Sequence, residues 1–311
     1  MKVLLALDGS APSLLARDLV VSLPWPAETV IHLLAAYQVP SDWTGGVSSA
    51  GYWAPVDEDA LRTELDGELR THAMPLQDGR DVVRHVIRGR AADVINDLAA
   101  EIGADLIVTG SRGRGRVESM LLGSVATEVA TGAPCPILVA RGASVSRLLV
   151  ATDGSDGATA IPERLGAWGI FRGRHADTIA VRVPDGPAFE LMVDLYTLGK
   201  ERFAGLQEES AEKARADAEA MAESLTSIEI PATAHVRKGD RAREILAAAK
   251  DLSADLIVTG SRGLGAVDSL LLGSVARNVV THAHCSVLVV RGGQGSGHPA
   301  AMASVTTRGT T

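Results

Sequence analysis

Apolar residues occur along the chain in short, nearly unbroken runs that alternate with amphipathic stretches. Such runs are typical of strands covered on both faces in a parallel sheet, and the stretches between them have helical spacing. The pattern predicts five strands in each half of the chain. They lie at residues 3–7, 29–36, 81–87, 105–109 and 137–140, and again at 148–152, 177–183, 229–237, 255–259 and 287–290.

Helices are predicted between these strands. Between strands three and four, Ala91, Val94, Ile95 and Leu98 recur at helical spacing, and the second half repeats this with Ala242, Ile245, Leu246 and Ala249. The other helices are expected at about 11–22, 57–76, 118–131, 156–168, 200–226 and 268–281, with a loop at 38–56. Strand alternating with helix predicts a parallel sheet with right-handed crossovers and helices on both faces.

One segment of the sequence occurs twice, in residues 104–141 and 254–291, which are nearly identical and lie 150 positions apart. Each copy reads Ala-Asp-Leu-Ile-Val-Thr-Gly-Ser-Arg-Gly, then nine residues, then Gly-Ser-Val-Ala. A repeat of this length indicates two copies of one domain. We expect domains at 1–143 and 145–292. Residues 293–311 are small and polar without periodicity, which predicts a disordered tail.

Two features of each half fall at the ends of predicted strands. Asp8-Gly9-Ser10 follows the first strand of the first half, and Asp153-Gly154-Ser155 follows that of the second. Gly110 and Gly260 follow the fourth strands. Doubly wound sheets bind ligands beyond the carboxyl ends of their strands. If strands one and four are neighbours, the aspartate and the glycine loop share one crevice.

The residues of this loop suit a phosphate group. Gly110 and Gly113 let backbone N–H groups approach an anion with no Cβ in the way. Ser124, after Gly123, offers a hydroxyl and an N–H near the positive end of a helix dipole. Arg112 adds a positive charge. The alternative is that the glycines only form a tight turn between strand and helix, as in many α/β loops.

Asp8 could hold a ribose hydroxyl, or a metal ion on the phosphates. The Walker A motif is absent because Gly123-Ser124 is followed by Val125 and no lysine precedes it, and the dinucleotide fingerprint is broken after Gly113. In the second half the same roles fall to Asp153, Gly260, Arg262, Gly263, Gly273 and Ser274.

The spacing Gly-x2-Gly-x9-Gly-Ser after the fourth strand, with Asp at the end of the first, resembles the ATP-binding class of the universal stress protein family in its tandem form. The resemblance covers almost the whole chain. It implies two tandem, doubly wound, Rossmann-like α/β domains, each with a five-stranded parallel sheet in the order 3-2-1-4-5. It also implies that the domains pair through their fifth strands, and it is compatible with a homodimer of tandem chains.

The resemblance further implies one adenine-nucleotide site per domain. ATP, with or without Mg²⁺, is the expected ligand, with AMP or cyclic AMP as alternatives. Adenine would be held largely by backbone at the end of strand two, near Ala35 and Val183. The residues implied to bind nucleotide are Asp8, Gly9, Ser10, Ala35, Gly110, Arg112, Gly113, Gly123, Ser124 and Val125, and Asp153, Gly154, Ser155, Val183, Gly260, Arg262, Gly263, Gly273, Ser274 and Val275.

Net charge and composition disfavour several classes of function for this chain. A net charge of −8 disfavours sequence-independent nucleic-acid binding, which needs a cationic face. The first apolar run stops at Asp8, too short for a signal peptide or a membrane span, so we expect no membrane partner and a cytoplasmic location. With no phosphate lysine and no evident base, rapid hydrolysis is not expected, whereas slow ATPase activity or autophosphorylation at Ser124 or Ser274 stays open.

Three functions therefore remain. The first is a nucleotide-binding stress-response protein that senses or stores ATP. The second is an adenine-nucleotide-dependent ligase or hydrolase of related fold. Such an enzyme would be expected to have a serine- and glycine-rich phosphate loop after strand one, and Asp8-Gly9-Ser10 is too short for it. The third is an interaction protein whose loops bind no nucleotide.

Several repeated or clustered residues have simpler explanations. His85 and His235 lie in the third strands without an evident acid, which favours packed side chains over catalysis. Cys135 and Cys285 occupy one repeat position, so small buried residues are expected there rather than a disulfide. Arg114 and Arg116 have no counterparts in the second half and would make the first pocket more cationic if they face it.

Overall fold

The computed structural model describes residues 1–39, 57–113, 122–182, 200–261 and 272–291. Ten strands occur in these ranges: β1 Lys2–Ala6, β2 Val30–Tyr37, β3 Asp81–Arg88, β4 Leu106–Gly110, β5 Ile137–Ala140, β6 Arg147–Thr152, β7 His175–Arg182, β8 Ala232–Lys238, β9 Leu256–Gly260 and β10 Ser286–Val290. The described α-helices are α1 Ala11–Ser22, α2 Glu58–Ala73, α3 Ala91–Ile102, α4 Ser124–Gly132, α5 Asp156–Trp168, α6 Lys200–Ser227, α7 Arg241–Asp251 and α8 Ser274–His282.

The strands form one sheet in the order β3-β2-β1-β4-β5-β10-β9-β6-β7-β8. Within each half every pairing is parallel, and both halves have the order 3-2-1-4-5. The predicted fold class is therefore confirmed. The halves meet where β5 pairs with β10 in antiparallel register, with Leu138 opposite Leu288.

Two apolar layers cover the sheet, because the side chains of successive strand residues point to opposite faces. Val3 and Leu5 of β1 pack on one face with α1, α2, α5 and α6. Leu4 packs on the other face with α3, α4, α7 and α8. Val139 and Val287 belong to this second layer, which continues across the β5–β10 junction. Burial of strands on both faces explains why their sequences are nearly uninterrupted apolar runs.

The predicted starts of the two helices after the glycine loops are wrong. Residues 114–121 lie outside the described part of the chain, but Leu122 and Gly123 are not helical, and α4 begins at Ser124 rather than near 118. Likewise, α8 begins at Ser274 rather than near 268. Gly123 has φ −73° and ψ 155°, the extended conformation of a residue that precedes a helix. Helix α4 therefore does not extend back through Gly123 to Leu122.

Candidate functional site: a crevice at the carboxyl ends of the strands

A cavity of about 330 Å³ opens where β1 and β4 end in the first half. These strands are hydrogen-bonded neighbours, with Ala6 opposite Thr109, so their following loops meet at one edge of the sheet. Strands one and four are therefore neighbours, as a shared crevice requires. The cavity is lined by Ala6, Leu7, Asp8, Ser13, Leu34, Ala36, Ala91, Ile95, Thr109, Gly110, Arg112, Gly113, Gly123, Ser124, Val125 and Ala126.

Asp8 is held in a fixed orientation by the turn that follows it. Its Oδ1 accepts hydrogen bonds from the backbone N–H of Ser10 at 3.0 Å and from the Ser10 hydroxyl at 2.6 Å. Gly9 between them has φ +74°, a left-handed conformation that favours glycine. The Ser10 side chain also accepts from Ser13 N–H and so caps α1. Gly9 and Ser10 do not line the cavity; they fix the aspartate that does.

The second half repeats this turn. Ser155 N–H donates to Asp153 Oδ1 at 3.1 Å, and Gly154 has φ +70°. Ser155 is the residue that precedes α5, as Ser10 precedes α1. The same local hydrogen bond therefore orients an aspartate at the end of the first strand in both halves.

The glycine loop is closed by backbone hydrogen bonds at its base. Ser111 N–H donates to Ala140 O at 3.1 Å, and Gly123 N–H donates to Ser111 O at 2.8 Å. These bonds attach the start of α4 to the sheet and leave Ser124 exposed at the cavity. The first N–H groups of a helix lack partners within the helix and bind anions readily. The geometry can therefore receive a phosphate.

The corresponding bonds exist in the second half. Ser261 N–H donates to Val290 O, and Gly273 N–H donates to Ser261 O, both at 2.8 Å. Ser274 is exposed at the start of α8, and Val275 is half-buried beside it. Both glycine loops thus have the same anchors at their bases.

The glycines of the first loop are required for different reasons. At Gly110 a Cβ would lie 2.6 Å from the backbone carbon of Pro12, so this glycine is needed for α1 to pack closely on β4 rather than for approach to an anion. At Gly113 a Cβ would lie 2.7 Å from Asp8 Oδ2. At Gly123 it would lie 3.2 Å from the Cα of Arg112. Two of the three glycines therefore shape the loop beside Asp8.

The opposite wall of the cavity is apolar. Ala6, Leu34, Ala36 and Ile95 contribute to it, and the two alanines leave room between β1, β2 and α3. Ala35 does not line the cavity, because its side chain packs in the layer on the other face of the sheet. Any contribution of Ala35 to a ligand would have to come from its backbone.

The structure brings most of the predicted first-half residues together. Asp8, Gly110, Arg112, Gly113, Gly123, Ser124 and Val125 line one cavity, whereas Gly9, Ser10 and Ala35 do not. The sequence interpretation missed Ala36, Ala91 and Ile95, although the helical spacing had marked Ala91 and Ile95 as core positions. Of the second-half residues, Val183, Arg262 and Gly263 lie outside the described ranges, as do Arg114 and Arg116.

A separate set of polar side chains lies on the second and third strands of each half, and none of them lines the first-half cavity. In the first half, His32 Nδ1 and His85 Nε2 are 3.0 Å apart, and their rings stack. Burial lowers the pKa of His32, and the nearby charges of His85 and Lys2 lower it further. Burial also lowers the pKa of His85, against an opposing effect of Glu101. Neutral imidazoles can share one hydrogen bond, whereas two imidazolium ions would repel each other.

The expectation that the third-strand histidines have no acid nearby is wrong in the second half. His235 Nε2 lies 2.8 Å from Asp177 Oδ1, and Arg147 Nε donates to Asp177 Oδ2 at 2.8 Å. Burial alone would raise the pKa of Asp177, but the hydrogen bonds from Arg147 and His235 outweigh it and lower that pKa. The Asp177 side chain is only 2% exposed, so these partners stabilise a buried carboxylate.

The two cysteines are free thiols, Cys285 buried and Cys135 partly so. Burial raises the pKa of Cys135 to about 12 and that of Cys285 to about 11. Both are therefore protonated and weakly nucleophilic at neutral pH. In the part of the chain that the structure describes, no three His, Cys, Asp or Glu side chains are grouped as metal ligands. Nor is any helix in the described ranges long and apolar enough to span a bilayer.

Comparison with known proteins identifies the same two halves as two domains of one family. The model of the universal stress protein family matches residues 1–141 and again 145–291. The chain therefore belongs to the universal stress protein family, with two tandem copies of its domain.

Relatives and solved structures of this family resemble the chain over one or both halves. A universal stress protein of Thermus aquaticus is 51% identical over 141 residues, which cover 45% of this chain and 97% of the relative. One of Mycolicibacterium smegmatis is 28% identical over 310 residues, covering 93% and 96% of the two chains. The crystal structure of a universal stress protein from Archaeoglobus fulgidus covers 94% of this chain and 98% of its own, with a TM-score of 0.59 and 21% identity. This last likeness concerns the fold alone.

Proposed function

We propose that each half of the chain binds an adenine nucleotide, ATP in the first place, in the crevice at the ends of its first and fourth strands. The observation that carries the proposal is the two-sided lining of the first-half cavity. One wall is apolar, at Leu34, Ala36 and Ile95, and the other consists of the glycine loop, the start of α4 and Asp8. An adenine nucleotide is divided in the same way, with a flat apolar base for the first wall and a charged phosphate chain for the second.

The residues present fit such a ligand. The space next to Gly113 would be filled by any Cβ, which would meet Asp8 Oδ2 at 2.7 Å. Backbone N–H groups at Ser124 and Val125, in the first turn of α4, would hold phosphate oxygens, and Arg112 would add a charge-assisted contact. Asp8 would accept from a ribose hydroxyl or hold Mg²⁺ on the phosphates. Adenine would lie against the apolar wall, next to the backbone of β2.

The composition of the same lining supports slow turnover. Among the described residues that line the cavity, only Asp8 and Arg112 are ionisable, and neither a lysine nor a histidine is present. Fast phosphoryl transfer needs groups that neutralise and orient the γ-phosphate. We therefore propose nucleotide sensing or storage in a stress response, with slow hydrolysis or autophosphorylation at Ser124 at most.

We also propose that the chain works in the cytoplasm and that the β5–β10 junction joins the two halves as a stable pair in solution. Two free thiols are in keeping with a reducing compartment. The junction is continuous with the buried layer containing Val139 and Val287, which supports a permanent contact. A homodimer of such tandem chains, with domain limits at 1–143 and 145–292, remains part of the proposal.

Denaturing the purified protein and identifying released nucleotide by chromatography tests the proposal, followed by calorimetric titration with ATP, AMP and cyclic AMP. We expect copurified adenylate, or uptake of up to one adenylate per half. Rapid ATP turnover with an acceptor substrate would favour the ligase or hydrolase alternative. Failure of all three nucleotides to bind or to shift the thermal unfolding temperature would favour the interaction protein.

A further inference from the structure

Two arginines cross the junction between the halves in a reciprocal manner. Arg141 directly follows β5, and Arg291 directly follows β10. The Nη2 of Arg291 donates to the carbonyl oxygens of Ala130 at 2.8 Å and Thr131 at 3.0 Å, in the last turn of α4. The Nη2 of Arg141 donates to Val280 O at 2.6 Å, in the last turn of α8. Each half therefore supplies an arginine to a helix of the other.

These contacts lie at the carboxyl ends of the two helices, where a positive charge is stabilising. The last carbonyl groups of a helix have no partner within it, and a positive charge there interacts favourably with the helix dipole. The last turn of α4 contains no basic residue of its own, whereas that of α8 contains His282. Arg141 is half-buried, and this burial lowers the pKa of its guanidinium. A buried cation needs hydrogen-bond partners, and Nη2 of each guanidinium finds them in the helix carbonyls.

The helices that receive the arginines are those that begin at the proposed nucleotide sites. Helix α4 has nine residues, so its two ends are only about 13 Å apart. Its first residue, Ser124, lines the first-half cavity, and Thr131, which is bound by Arg291, is in its last turn. A short helix moves as one rigid body. Hydrogen bonds to its carboxyl end therefore also fix the position of its amino end.

We infer that Arg291 is a positioning residue for the nucleotide site of the first half, and Arg141 for that of the second, each acting from the opposite half. The inference rests on the proposed function for its ligand, an adenine nucleotide whose phosphates lie at the starts of α4 and α8. Neither arginine touches the cavity of the first half, so each acts through the helix it holds. A domain separated from its neighbour would lack this contact.

Site-resolved titration of the full chain tests the inference. Gly263→Val should weaken the second site so that the tighter ATP binding reports on the first, and Gly113→Val should do the reverse. In the Gly263→Val background, Arg291→Met should raise the Kd for ATP about three- to tenfold, as expected for loss of a charge at a helix end. In the same Gly263→Val background, Arg141→Met should change the Kd for ATP less than Arg291→Met does. In the Gly113→Val background, Arg141→Met should raise the Kd for ATP more than Arg291→Met does.

Two further measurements separate positioning from loss of fold. Arg291→Lys keeps the positive charge and should restore part of the affinity. Without nucleotide, Arg291→Met should speed amide hydrogen exchange in residues 124–132 and leave 274–282 unchanged. Equal weakening of both sites by Arg291→Met, or unchanged first-site affinity and unchanged exchange in α4, would overturn the inference. If the parent chain takes up no adenylate while exchange in α4 still responds, the proposed function fails and the action of Arg291 on α4 stands.

Discussion

Gly113→Val should damage nucleotide binding in the first half with little effect on folding. Any side chain at this position brings a Cβ to 2.7 Å from Asp8 Oδ2. The carboxylate would have to retreat by roughly 0.8 Å to reach an ordinary contact distance of about 3.5 Å. Its other oxygen is held by Ser10 at 2.6 and 3.0 Å, so the retreat breaks the turn that orients it.

The expected size of the effect follows from the contact that is lost. A hydrogen bond to a charged group contributes about 1.5–3 kcal/mol, so losing one between Asp8 and the ligand should weaken binding about ten- to hundredfold. Gly113 is exposed, so the free energy of unfolding should change by no more than about 1 kcal/mol. Calorimetric titration with ATP should resolve one weakened and one unchanged site, and urea unfolding should give the stability.

The matched control is Gly67→Ala, a glycine in α2 where a Cβ would have no neighbour within 4 Å. It should leave ATP binding at both sites unchanged. If Gly113→Val keeps the parental Kd and the full number of sites, Asp8 and the loop do not contact the ligand, and the proposed site is wrong.

Three further effects concern stability, and urea unfolding measures them all. Gly110→Ala should destabilise the fold by about 1–3 kcal/mol or more, because its Cβ would lie 2.6 Å from the backbone of Pro12, which cannot yield without moving α1; an unchanged stability would contradict that packing. Gly67→Ala should stabilise it by about 0.5–1 kcal/mol through the helix propensity of α2. The lowered pKa values of His32 and His85 mean that the unfolded chain binds more protons, so stability should fall as the pH drops below about 6.5. His32→Gln should reduce this loss between pH 7 and 5, and an unaltered pH dependence would contradict the role of the pair.

Much of the fold was predictable because its causes are local in sequence. The unbroken apolar runs predict buried strands, and the spacing of Ala91, Val94 and Ile95 predicts the helix that became α3. The glycine after β4 and the aspartate after β1 could be assigned to one edge, because the parallel order places those strand ends side by side. The repeat then extended each assignment to the second half.

The errors came from features that local spacing does not determine. The sequence before Ser124 has helical periodicity, but Gly123 is extended and its N–H donates to Ser111 O, so α4 begins only at Ser124. The acid beside His235 was missed because Asp177 lies 58 positions earlier in the chain and meets it only across paired strands. Gly110 was assigned to anion approach, whereas its close neighbour is the backbone of Pro12.

By itself the sequence determined the number and kind of elements, their repetition, and which glycines and acids end the strands. These depend on side-chain periodicity and on turns such as that of Asp8 and Ser10, whose partners are neighbours along the chain. Only the tertiary structure decided which surfaces meet, including the contact of Arg291 with Ala130, 161 positions away. Such contacts arise from how the packed layers bring distant segments together, and no local pattern of hydrophobicity encodes that distance.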